Sequence, residues 1–330
     1  MKRSLFLALL SGILAVSAAA QPSSPSGADL YKSGQYKEAI SYLSAAVKTN
    51  KTDPELWNYL GLSYLQTSDY KDAAKSLKKA VQLSPGEASY HSNLAYAYIL
   101  SRRTSDAIYE ANQALKINPK NLYALYVKGT AEYWENDLDK ATRDTDALIA
   151  LDGTFPSGYV LRSDIYVAEL SKKVSAGSTI RDQLGLLRAA YEIMKVGETK
   201  RDRSVKDEVF DGALASISAF YEYFARNKSI GEPEPNAPPD PSVEPIKILS
   251  KPRPSYTNEA RNSNIQGTII VAVVFGAGGK IDGMLLLKKL GGGLDQEALS
   301  AARKIKFEPM KKDGQPVAIV KQIEYTFSIY

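Results

Sequence analysis

From residue 27 to residue 153, apolar side chains recur at three- and four-residue steps, the spacing that lays them along one face of a helix. This pattern itself repeats. Small residues return every 34 positions at Gly27, Gly61, Ala95 and Gly129, and again at Ala39, Ala73, Ala107 and Ala141. A third series runs through Ala46, Ala80 and Ala114, with Leu148 in the fourth place. Pro85 and Pro119 close successive units, Gly153 takes the next such slot and Lys51 the first. Each unit predicts two amphipathic helices that cross where the side chains are small. The proline ends the second, because it cannot continue a helix. One helix pair cannot bury its apolar face alone, so the units must stack into a solenoid over about residues 24 to 153.

Tyr159, Ser163 and Tyr166 begin one more unit, and then the phase is lost. Two further helical patterns follow, over residues 180 to 196 (Leu184, Leu187, Tyr191) and 205 to 225 (Val209, Leu214, Ile217, Tyr221, Phe224). They are expected to close the open end of the solenoid. Eight of the sixteen prolines then fall between Pro233 and Pro254. Residues 229–250 therefore read as an extended, semi-rigid linker. At about 3.1 Å per residue, a stretch of 22 residues reaches roughly 70 Å.

Past the linker the period shortens. Residues 267 to 275 (GTIIVAVVF) are apolar on both faces, which predicts a buried strand. A glycine-rich turn at 276 to 279 joins it to a second strand over 280 to 288, forming a hairpin. Gly291, Gly292 and Gly293 lead to Asp295, a candidate helix N-cap. The helix is expected to reach Lys304, with Ala298, Leu299, Ala302 and Ile305 on one side. After the Asp313-Gly314 turn comes a last strand of about 14 residues. Val317, Ile319, Ile323, Tyr325, Phe327 and Ile329 lie on one face, interrupted by Lys321, with Gln322, Glu324, Thr326 and Ser328 on the other. The whole is a small ββαβ unit of the α+β class.

Two resemblances follow from these residues. The second unit reads Trp57, Leu60, Gly61, Tyr64, Tyr70, Ala73, Leu77, Ala80 and Pro85, which resembles the tetratricopeptide repeat. The fourth unit departs from that pattern, with Glu132 where tyrosine is usual and Thr145 and Leu148 in its second helix. Residues 246 to 330 resemble the TonB C-terminal domain. Its landmarks here are Arg253-Pro254-Ser255-Tyr256-Thr257 followed by Ala260, then Ile265-Gln266-Gly267, Gly279, and Leu294-Asp295-Gln296-Glu297-Ala298-Leu299. Phe307-Glu308-Pro309 and Asp313-Gly314-Gln315-Pro316-Val317 complete the set. Arg253 stands for the family's glutamine, Thr257 for its second proline and Ile305 for a common tryptophan.

The fold class implied is an α-helical tetratricopeptide solenoid followed by a small α+β TonB C-terminal-like domain. The domains are expected at 1–20 (export signal), 21–228 (solenoid with capping helices), 229–250 (linker) and 251–330. In the repeat family the first helix of each pair lines the concave face. By phase, the partner-binding residues are then Leu62, Leu65, Gln66, Tyr96, Ile99, Tyr123, Tyr126, Tyr133 and Trp134. Rigid aromatic side chains would anchor a peptide there at low entropy cost, although the same residues also suit packing between repeats. In the TonB-like family a partner adds as a strand at the open sheet edge. That implies Arg253, Tyr256, Ile323, Tyr325, Phe327 and Ile329 as a second binding set, engaged either by a partner strand or by a second copy of the chain.

Composition narrows the chemistry. With no cysteine and one histidine, the chain can form no disulfide, thiolate metal site or multi-histidine metal centre. His91 reads as a packing residue, and no nucleophile motif of the G-x-S-x-G kind occurs. No cofactor, metal or catalytic residue is expected, and the chain does not read as an enzyme. A net charge of +5 is too mild for a nucleic-acid footprint. Met1-Lys2-Arg3, the apolar run over residues 5 to 16 and Ala18-Ala19-Ala20 form a three-part export signal, with cleavage expected after Ala20. These residues are too few for an ordinary membrane span, which takes about 20. The expectation is a periplasmic adapter binding proteins or peptides, among them a TonB-dependent outer-membrane transporter. It would touch a membrane only through its partners unless the signal is retained. A membrane-anchored energy transducer is the first alternative, and an enzyme with an unrecognised site the second.

Overall fold

The computed structural model describes residues 26–226 and 240–329. The export signal, most of the proline-rich stretch and Tyr330 lie outside the described residues.

The 34-residue period becomes four helix pairs. They are α1 (Gly27–Lys32) with α2 (Tyr36–Thr49), α3 (Pro54–Gln66) with α4 (Tyr70–Leu83), α5 (Ala88–Leu100) with α6 (Thr104–Ile117), and α7 (Leu122–Trp134) with α8 (Leu138–Leu151). Local chemistry sets their ends. Asp53 accepts the backbone N–H groups of Glu55 and Leu56, and Pro54 occupies the first turn of α3. Asn121 caps α7 in the same way. Small residues sit at the crossings as the period requires. A Cβ on Gly61 would fall 2.5 Å from Leu77 Cγ, and Ala73, Ala107 and Ala141 are fully buried. His91 is buried, with Nδ1 2.6 Å from Glu110 Oε2 and Nε2 3.0 Å from the Pro85 carbonyl. Thr145 and Leu148, the departures in the fourth unit, are also fully buried.

One periodic feature was hidden in the sequence. The turn inside each pair needs a left-handed residue, supplied by Gly34, Ser68, Arg102 and Asn136 at φ values of 78°, 63°, 59° and 61°. Only the first of these is glycine, so no composition signal marks the series.

After the repeats come α9 (Pro156–Ser175), α10 (Leu184–Lys200) and α11 (Glu208–Arg226). The C-terminal part contains β1 (Val243–Glu244), β2 (Lys247–Ser250), α12 (Asn258–Asn262), β3 (Gly267–Phe275), β4 (Ile281–Lys288), α13 (Leu294–Arg303), β5 (Lys306–Glu308), β6 (Met310–Lys312), β7 (Gln315–Val317) and β8 (Ile319–Phe327). The main antiparallel sheet has the order β4-β3-β8. Smaller ladders pair β2 with β5, and β1 and β7 with β6.

Three expectations need correction. The last strand is not one run of 14 residues: β7 pairs with β6, Ala318 breaks the ladder, and β8 is nine residues long. The linker is shorter than 229–250, because residues 243–244 and 247–250 are already strands and the Ser242 carbonyl accepts the Asp313 N–H. Asp295 lies inside α13 rather than capping it. Gly293 is the N-cap at φ 74°, and the Asp295 carboxylate instead accepts the N–H groups of Leu290 and Gly291.

The double-sided apolar strand is explained by two cores. Ile269, Val271, Val273 and Phe275 pack with Ala298, Ala302, Ile323, Tyr325 and Phe327 beneath α13. On the opposite face, Ala272, Val274, Leu285, Leu287 and Val320 join Leu187, Met194, Phe210, Phe220 and Phe224 from α10 and α11 in one cluster. Of the three helices after the repeats, α9 and α11 lie on the sheet, and α10 packs on both. Ser216 Oγ donates to the Met284 carbonyl at 3.0 Å, tying α11 to β4 directly.

Two predictions follow. Phe220 is fully buried in the shared core, so Phe220→Ala should cost about 3–5 kcal/mol in urea unfolding; a loss below about 1 kcal/mol would contradict the shared core. In the fourth unit, burial and the neighbouring Asp144 push the Glu132 carboxyl up to about 8, against the pull of Lys128. A raised folded pKa gives stability that is full below the ordinary value and is lost as pH rises through the folded one. Wild type should therefore lose more than about 1 kcal/mol relative to Glu132→Gln between pH 5 and pH 9; parallel stability–pH curves would refute this.

Candidate functional site

Part of the expected aromatic set on the first helices of the third and fourth repeats lies together. Tyr96 and Tyr123 have ring centres 5.2 Å apart, Tyr123 and Tyr126 6.5 Å, and Tyr126 and Phe155 5.8 Å. Burial pushes the Tyr126 hydroxyl up to about 12, and those of Tyr123 and Tyr133 up as well. Other members of the expected set lie elsewhere. Leu65 and Ile99 are buried between helices, where they hold the array together. Leu62 packs half-buried against the same cluster, and Gln66 is exposed and bonds to Tyr31.

The aromatic face is not an open groove, because the C-terminal domain sits against it. Tyr70 Oη donates to Glu259 Oε1 of α12 at 3.1 Å. The Arg102 guanidinium lies 3.8 Å from the Trp134 ring centre. One of its terminal nitrogens is so close to Gly291 that a Cβ there would come within 2.9 Å. Lys289 Nζ pairs with Asp164 Oδ1 at 2.6 Å. Between these contacts is a cavity of about 450 Å³, lined by Tyr126, Tyr133, Trp134, Asp164, Lys289 and Asp295. Burial raises the Asp295 carboxyl above the usual range, while its two backbone donors and Lys289 pull it back. Burial likewise lowers Arg102, opposed by the facing charges of Asp295 and Glu259.

The backbone makes this fit possible. Gly291, Gly292 and Gly293 are all left-handed, at φ 75°, 60° and 74°, a run that side chains would oppose. Thr257, where the family's proline would be, caps α12 by accepting the Ala260 N–H and donates to the Gly292 carbonyl. Arg102 and Glu259 had no motif to announce them.

The second expected set sits at the far side of the sheet. β8 ends the order β4-β3-β8. Ile323, Tyr325 and Phe327 point into the core under α13, so they do not face a partner, contrary to expectation. Tyr256 is half-buried; its hydroxyl donates to the Ile265 carbonyl at 2.6 Å and its ring centre is 6.1 Å from that of Phe327. Arg253 and Ile329 are exposed, and so are Gln322, Glu324 and Thr326 on the outer face of β8. Lys251 Nζ reaches the Glu324 carbonyl at 2.8 Å. The edge therefore offers backbone groups and polar side chains rather than an apolar stripe.

Comparison with known proteins agrees with this anatomy. Residues 252–329 match the family model described as Gram-negative bacterial TonB protein C-terminal. Residues 26–88 and 62–122 match the tetratricopeptide repeat. No curated protein matches the chain. Among solved structures, a crystal structure of MamA is 21% identical and covers 54% of this chain and 97% of its own, with a TM-score of 0.45. TTC0263, a thermophilic tetratricopeptide protein of Thermus thermophilus, is 22% identical over 58% of this chain and 95% of its own, with a TM-score of 0.45. MamA from Desulfovibrio magneticus is 17% identical over 53% and 92%, with a TM-score of 0.44. The chain thus carries tetratricopeptide repeats and a TonB C-terminal domain, two kinds of protein-interaction module.

The contact between the modules can be checked energetically. Tyr70→Phe and Glu259→Ala should each cost about 0.5–1.5 kcal/mol, with a coupling of at least roughly 0.5 kcal/mol in a double-mutant cycle. Strict additivity of the two would mean that the hydrogen bond does not form in solution.

Proposed function

We propose that this chain is an exported, periplasmic adapter whose open binding surface is the free edge of β8. A partner segment adds there as a further strand, and the expected partner is an outer-membrane transporter. The observation that carries this reading is the position of β8 at the end of its sheet. An unpaired edge must be covered or used, and strand addition draws its affinity from main-chain hydrogen bonds. The inward side chains of Ile323, Tyr325 and Phe327 fit that mode, because they fix the strand while leaving its edge to the backbone. Export is supported by the charged start, apolar run and alanine-rich end of residues 1 to 20. The reading differs from an adapter with two open hands. The repeat face is engaged by the chain's own C-terminal domain, so the repeats serve first as the platform on which that domain is held.

The chain has no cysteine, so single cysteines report cleanly. Gln322→Cys and Thr326→Cys should form cross-links to a different, membrane-embedded protein in intact cells, while Lys116→Cys, distant in sequence on α6, should not. Cross-links only between two copies of this chain, or none, would overturn the transporter reading. Recovery of the chain with residues 1–20 still attached would overturn cleavage of the signal.

A further inference from the structure

The cavity of about 450 Å³ between the fourth repeat, α9 and the C-terminal domain has walls held in place from both sides. Tyr126 and Tyr133 of α7 pack on the apolar cluster of Leu138, Ala141, Leu161 and Ile165, which joins α8 to α9. On the other side, the ion pair of Lys289 with Asp164 ties the end of β4 to α9. The space has the size of a small-molecule site. Val209 lies at its edge and is 72% exposed, so the cavity has an entry that needs no movement of the repeats. A site whose walls are already in place spends little binding energy on ordering them.

Five charged side chains line this cavity, and two of them lack a charged partner in direct contact. Lys289 and Asp164 neutralise each other, and Glu259 accepts the Tyr70 hydroxyl. The Arg102 guanidinium lies over the Trp134 ring and, among the described residues, makes no hydrogen bond or ion pair. The Asp295 carboxylate accepts only the backbone N–H groups of Leu290 and Gly291. Burial works against the charge on both, lowering Arg102 and raising Asp295. A buried charge costs free energy until it is paired. A purely anionic ligand would meet Glu259 and Asp295, and a purely cationic one would meet Arg102 and Lys289. A zwitterion meets neither obstacle. We propose that this cavity binds a free amino acid or dipeptide. Its carboxylate pairs with Arg102, its ammonium pairs with Asp295, and an aromatic or branched apolar side chain lies among Tyr126, Tyr133 and Val160. The site rests neither on export nor on the β8 edge, and stands or falls independently of both.

Isothermal titration calorimetry on the full chain tests this with L-phenylalanine and glycyl-L-phenylalanine. At least one should bind with a Kd of about 1 mM or below, and the tighter of the two tells a free amino acid from a dipeptide. Phenylpropionate and acetyl-L-phenylalanine are the same molecules without the ammonium, and the C-terminal amides lack the carboxylate. Each should bind at least about tenfold more weakly than its parent, the scale of a charge-assisted hydrogen bond. Asp295→Asn should erase the advantage of the parents over the ammonium-free molecules, and Arg102→Gln their advantage over the amides. No binding of either zwitterion at millimolar concentration would overturn the proposal, because the cavity would then hold water alone. Ammonium-free molecules that bind as tightly as their parents, or preferences that survive both substitutions, would overturn it as well. Should Asp295→Asn fail to fold, Arg102→Gln, which removes no hydrogen bond among the described residues, decides the matter through the amides.

Discussion

The arrangement depends on covering the outer face of the three-stranded sheet. Ala272, Val274, Leu285, Leu287 and Val320 cannot be left in water, and no other described element of the C-terminal domain covers them. The roof is supplied by α11 and α9, with α10 packed on both, and Phe220 and Phe224 of α11 are fully or almost fully buried. Helices that would merely end a solenoid are thereby shared between two modules.

Docking at the roof decides what happens at the repeats. It brings α12 and the triple-glycine loop against the repeats, where Tyr70 bonds to Glu259 and Arg102 lies close to Gly291. Among the described residues β8 has no further strand beside it, and Lys251 caps its Glu324 carbonyl. One apolar interface therefore assigns both surfaces: it occupies the repeat face and frees the strand edge.

The sequence was most informative where a physical constraint recurs. Four helix crossings need small residues, and the 34-residue series of glycine and alanine disclosed them. The strand over residues 267–275 was recognisable as buried on both sides because it is apolar at nearly every position. What covered its second face was not recognisable, because the periodicity of α9 and α11 marks apolar stripes without naming what they meet. Ile323, Tyr325 and Phe327 were read as a binding stripe when they are core, since alternation alone gives a face but not its direction. Val317 and Ile319 continued the same alternation across Ala318, which concealed the change of partner from β6 to β3. Arg102 and Glu259 were invisible for a simpler reason. They lie 157 positions apart in the sequence, and their proximity is a product of docking.

The central claim is that the sheet requires its helical roof. Hydrogen exchange at the β3 amides of Val271, Ala272, Val273 and Val274 tests it, measured in the full chain, in a chain starting at residue 156 and in one starting at residue 240. The account predicts strong protection in the first two and its loss in the third, where the outer face is bare. Equal protection in the chain starting at residue 240 would show that the domain stands alone, and the shared core would then be a contact of convenience.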